Sequence, residues 1–84
     1  MKFEIKYSDE FYKKLLIFFP DQPTELINFI EQQLSYAPID HPNKRVKEIQ
    51  KESAEYLLSY KYYRIPFIIK QNTIFVTSLY NQNV

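Results

Sequence analysis

An α+β fold, with two helices packed on one face of a small antiparallel-rich sheet, is predicted by three features of this 84-residue sequence. Residues 2 to 7, KFEIKY, alternate polar and apolar, as a half-buried strand does. Residues 9–19 and 22–36 carry apolar side chains at helical spacing, divided by Pro20. Residues 55–60, 63–70 and 73–80 are rich in β-branched and aromatic residues and are separated by two residues each, the length of a tight hairpin. The order is therefore β-α-α-β-β-β, and residues 1–84 are expected to form one domain.

Each element has a local cause. In the first strand Phe3, Ile5 and Tyr7 oppose Lys2, Glu4 and Lys6. Ser8 offers a helix N-cap, with Asp9 and Glu10 favourable in the first turn. Phe11, Leu15, Phe18 and Phe19 form the apolar stripe of the first helix, and Pro20 stops it. Asp21 is the expected cap of the second helix, whose first turn tolerates Pro23. Leu26, Ile27, Ile30 and Leu34 make its apolar face, and Pro38 ends it. PIDHPNK, residues 38–44, reads as a loop, and KRVKEIQKES after it as an extended or loosely turned approach to the meander.

The hairpin registers assign faces. Around Gln71-Asn72, Ile69 is expected opposite Ile74, Phe67 opposite Val76, Ile65 opposite Ser78 and Tyr63 opposite Tyr80. Around Lys61-Tyr62, Tyr60 faces Tyr63, Leu58 faces Ile65 and Tyr56 faces Phe67. These residues form the core face, which the helices cover. The opposite face carries Leu57, Ser59, Arg64, Pro66, Ile68, Phe75, Thr77, Leu79 and Asn81, with Arg64 pointing outward. Pro66 cannot donate to a ladder, so a bulge or a shortened neighbour is expected beside it.

Composition excludes several chemistries. The chain has no cysteine, hence no disulfide, thiolate nucleophile or cysteine-bound metal. It also has no glycine, where average usage of about 7% would give roughly six. Glycine-rich phosphate loops are thereby excluded, and left-handed turn positions are expected on Asn or Asp. A single histidine, His41, in a proline-flanked loop makes a metal site improbable, and no cofactor is expected. Net charge is +1, so nucleic-acid binding would need a local patch. Lys44, Arg45 and Lys47 are the only dense basic run. No stretch approaches the roughly 18 apolar residues of a membrane span, and no signal pattern is present, which predicts a cytoplasmic protein without a membrane partner.

The SDEFYKKL opening of the first helix, the KRVKEIQ segment and YYRIPFIIKQNTIFVTSLYN at the end resemble the RelE/ParE superfamily of type II toxins, over essentially the whole chain. The resemblance implies a cognate antitoxin as partner. In the RelE-like branch it implies cleavage of mRNA on the ribosome, with the strand arginine, here Arg64, at the scissile phosphate. In the ParE-like branch it implies inhibition of DNA gyrase. A third reading is a non-catalytic binding module that retains the fold. Members that cut RNA often end the last strand with His, Arg or Tyr. The corresponding positions here are Asn81 and Gln82, which do not exchange protons. Lys44, Arg45 and Lys47 would then meet phosphates, and Leu57, Ile68, Phe75 and Leu79 would dock the antitoxin. Glu48 would serve as a base only if it faced the same cleft as Arg64.

Overall fold

The computed structural model describes residues 2–36, 46–50, 52 and 54–82. Strand β1 spans Glu4–Tyr7, helix α1 Asp9–Phe18 and helix α2 Pro23–Leu34. Strands β2 (Val46–Gln50), β3 (Glu55–Tyr60), β4 (Tyr63–Lys70), β5 (Thr73–Val76) and β6 (Tyr80–Asn81) follow. The sheet order is β1-β5-β4-β3-β2, with β6 joining β4 beyond the end of β5. Among the described residues, only β1 and β5 pair in parallel.

Ser8 caps α1 as its sequence suggests, its hydroxyl oxygen accepting from the Phe11 amide at 3.0 Å. At α2 the cap is Gln22 rather than Asp21, without a side-chain bond, and Pro23 occupies the first turn. Proline there needs no N–H partner, so the helix begins one residue later than a capping aspartate would start it. The segment read as a loose approach is strand β2. Its register against β3 shifts between Glu48 and Gln50. Its apolar points, Val46 and Ile49, are three residues apart in sequence, and the register shift accommodates a spacing that hides the period of two.

The β3–β4 pairs Tyr56–Phe67, Leu58–Ile65 and Tyr60–Tyr63 are those expected, as are Phe67–Val76 and Ile69–Ile74 between β4 and β5. Phe11, Leu15, Leu26, Ile30 and Leu34 of the helices meet Tyr56, Leu58, Ile65, Phe67, Ile74 and Val76 of the sheet in one buried core. At its end Phe18, Phe19 and Phe29 pack tilted against Tyr60 and Tyr63 with ring centroids 4.5–6.4 Å apart.

The expected strand 73–80 does not run through. It ends at Val76, and pairing resumes one residue out of step, with Arg64 opposite Tyr80 and Tyr63 opposite Asn81. A slip of one residue exchanges the faces. Leu79, expected on the open face, is fully buried in the core, and Tyr80, expected in the core, is exposed. Leu79 therefore contributes packing and is not available to a partner.

Among the described residues, left-handed backbone falls on Ala54, Lys61 and Gln71 rather than on Asn or Asp. Gln71 has φ 55° at an exposed hairpin turn, a conformation that costs an L-residue about 1–2 kcal/mol and glycine nothing. Gln71→Gly is expected to raise stability by up to about 1 kcal/mol and Tm by roughly 4 °C, read by thermal denaturation.

Tyr7 sits under α1, its ring 5.0 Å from Phe11, and its hydroxyl is buried without a hydrogen-bond partner. Burial first, then the nearby Glu31 and Tyr12, push its phenol above the ordinary value of 10.0. The neutral form is thus favoured by folding. Its contribution is complete below the ordinary phenol range and is lost as pH climbs through and beyond it. Tyr7→Phe is expected to hold or raise stability at pH 7, by about 1 kcal/mol at most, and to flatten the alkaline loss. Urea titration at pH 7 and pH 11 measures both.

Candidate functional site

The face of the sheet turned away from the helices is built in rows, because residues paired across strands share a face. One row is Ser59–Arg64–Tyr80. The next is Lys47–Leu57–Pro66, with Thr77 bonded to Pro66. The third is Glu55–Ile68–Phe75–Lys6. Lys47, Arg64, Lys6 and Lys70 put four positive charges on this face, against Glu4 and Glu55 among the described residues.

Arg64 is half-buried, and its guanidinium turns back over the β3–β4 hairpin. Its Nη1 group donates to the Lys61 carbonyl at 2.9 Å and the Tyr63 carbonyl at 2.8 Å. A guanidinium has five N–H donors in a fixed fork. Two of them hold the turn, and the remaining three, on Nε and Nη2, form the edge suited to two oxygens of a phosphate. The same turn takes a third bond, from the Gln82 amide to the Tyr62 carbonyl at 2.8 Å. The end of the chain and the arginine are thus tied to one hairpin.

Tyr80 is the functional candidate that the sequence reading missed. It stands directly opposite Arg64, is 41% exposed, and carries a phenolic O–H. The only sequence signal for it was Pro66, which forces an irregularity in the neighbouring strand without giving its direction. Asn81 lies in register with Tyr63, on the other face from Arg64. Glu48 pairs with Tyr56 of the core face and does not share a face with Arg64.

Of the basic run, Lys47 is exposed on the open face, two strands from Pro66. Lys44 and Arg45 lie outside the described residues, as does His41. Ile68 and Phe75 are half-buried and line a depression of about 460 Å³ together with Lys6, Lys70, Ser8 and Thr77. Leu57 is half-buried on the adjacent row. Among the described residues no three His, Cys, Asp or Glu side chains group as metal ligands, and no helix is long and apolar enough to cross a membrane.

Two helices on one face of a mixed sheet give this chain a RelE-like fold. It superposes on the archaeal RelE–RelB complex of Pyrococcus horikoshii with a TM-score of 0.79, at 16% identity, covering 98% of this chain and 97% of that one. The RelBE2 toxin–antitoxin complex of Mycobacterium tuberculosis gives 0.73 at 14% identity, covering 96% and 92%. The YoeB–YefM complex of Staphylococcus aureus gives 0.68 at 13% identity, covering 94% and 95%. No family model and no curated protein matches the sequence.

Proposed function

We propose that this chain is the toxin of a type II toxin–antitoxin pair and that its open face cleaves mRNA held on the ribosome. The observation that carries the reading is the pairing of Arg64 with Tyr80 on that face. Cleavage needs the 2′-hydroxyl to attack the adjacent phosphorus while the bond to the 5′-oxygen breaks. The Arg64 fork would stabilise the charge that grows on the phosphate oxygens. The Tyr80 hydroxyl would donate its proton to the departing 5′-oxygen, leaving a 2′,3′-cyclic phosphate and a 5′-hydroxyl. The 2′-hydroxyl proton would pass to solvent. A site of two groups depends on its large partner to orient the RNA, which fits a ribosome-dependent activity. Lys47, with Lys44 and Arg45 before it in sequence, would meet flanking phosphates.

The fold neighbours in P. horikoshii, M. tuberculosis and S. aureus were solved as complexes with a second protein, which supports an antitoxin partner here. Leu57, Ile68 and Phe75 are the apolar residues such a partner would cover.

The test expresses the wild type, Arg64→Ala and Tyr80→Phe, then maps mRNA 5′ ends and plasmid supercoiling side by side. New ends within ribosome-bound codons are expected in the wild type. Tyr80→Phe should reduce them by about 10²-fold, the usual weight of a general acid. Supercoiling defects without cleavage would replace this reading with gyrase inhibition. Neither effect would leave a binding module.

A further inference from the structure

We infer that the Ser8 hydroxyl is a positioning residue for Tyr80, standing in for the N–H that Pro66 lacks. The inference rests on the Arg64–Tyr80 reading for its functional meaning, but its structural content stands on strand register and hydrogen bonds alone.

The β4–β5 register places Thr77 opposite Pro66, the next pair after Phe67 and Val76. In an antiparallel ladder such a pair exchanges two bonds. Here one exists, from the Thr77 amide to the Pro66 carbonyl at 3.0 Å. The other cannot form, because proline has no amide proton. The Thr77 carbonyl would be left without its ladder donor. Instead the Ser8 hydroxyl donates to it at 2.6 Å, from 69 residues away in sequence. The same oxygen accepts from the Phe11 amide at the start of α1, so its proton and a lone pair are both committed. The Ser8 amide also donates to the Val76 carbonyl at 3.0 Å. The α1 N-terminus therefore takes over the strand where β4 lets it go.

The consequence is a bulge of fixed direction. After Thr77 the chain spends two residues, Ser78 and Leu79, opposite the single residue Ile65 before pairing resumes. Lys14 of α1 holds the first of them, its Nζ donating to Ser78 Oγ at 3.4 Å. Two against one sends Leu79 into the core and turns Tyr80 to the open face beside Arg64. A ladder continued without the extra residue would pair Tyr80 with Tyr63 and bury it.

The test separates the two jobs of Ser8. Aspartate caps a helix as well as serine does, but its carboxylate has no proton to give Thr77. Threonine keeps both capacities. The chain has no native cysteine, so register is readable by disulfide trapping. Tyr63→Cys with Asn81→Cys reports the bulged pairing, and Tyr63→Cys with Tyr80→Cys the continuous one. With Ser8 or Ser8→Thr the first pair is expected to oxidise and the second not. Ser8→Asp should lower the first yield several-fold. In chains without the cysteines, it should cut RNA cleavage as far as Tyr80→Phe does. Should Ser8→Asp fail to fold, Ser8→Gly against Ser8→Thr replaces it, since glycine lacks the donor and weakens the cap by only about a few tenths of a kcal/mol. Unchanged trapping in the variant that lacks the donor overturns the inference. Absence of cleavage in the wild type would overturn the nuclease reading and leave the trapping result to decide the role of Ser8.

Discussion

Phe67→Ala is expected to lower the stability of the domain by 3–5 kcal/mol, about the cost of emptying a fully buried aromatic site. Phe67 lies on the central strand β4, is 0% exposed, and stacks on Tyr56 at 5.6 Å. Helices above and β3 and β5 on either side leave it little room to collapse. A domain of this size holds roughly 5–15 kcal/mol in all, so the variant should be largely unfolded at moderate urea. Equilibrium urea titration followed by circular dichroism measures the loss. A cost under about 1 kcal/mol would mean that β4 does not form the centre of the core.

On the proposed nuclease reading, Arg64→Lys is expected to reduce cleavage by about 10²–10³-fold, the scale of losing one preorganised donor at a developing oxyanion. Charge is kept, so the loss tests geometry. Arg64 holds the Lys61 and Tyr63 carbonyls with one nitrogen and keeps the rest of its fork free. An ammonium is a single point and cannot occupy the turn and the phosphate together. Single-turnover cleavage of ribosome-bound mRNA, with purified variant in excess, gives the ratio directly. A lysine variant within threefold of the wild type would show that only charge matters at this position. Because both turn bonds are also lost, a circular dichroism melt accompanies the assay.

The helices and the two hairpins were legible because alternation reports which face a residue lies on. Leu58, Ile65, Phe67 and Val76 could be assigned to the core from spacing alone, and all four are there. Strand β2 was not legible. Its register shift breaks the period of two, leaving Val46 and Ile49 to look like isolated apolar points. Arg64 was placed on the correct face because its hairpin to β3 is regular. Leu79 and Tyr80 were exchanged for a different reason. The bulge that moves them depends on a serine at the far end of the chain, and no local pattern records such a bond. Pro66 announced that the neighbouring strand must break, but it is silent on whether one residue or none is gained there. Capping at α2 was misassigned because Pro23 fixes the helix start through its ring, without a side-chain acceptor.

Strand β6 is two residues long and is fastened by its pairs with Tyr63 and Arg64 and by the Gln82 amide on Tyr62. So short a segment opens at a small fraction of the free energy that unfolds the whole domain. Opening carries Tyr80 away from the sheet, while the two bonds of the arginine to its own turn stay intact. On the proposed function, its two groups would then differ in lifetime, Arg64 being held by its hairpin and Tyr80 by a two-residue strand. The Gln82 amide should exchange with solvent orders of magnitude faster than that of Ile65. A ligand that prefers the detached tail would draw the population toward it by its difference in affinity alone.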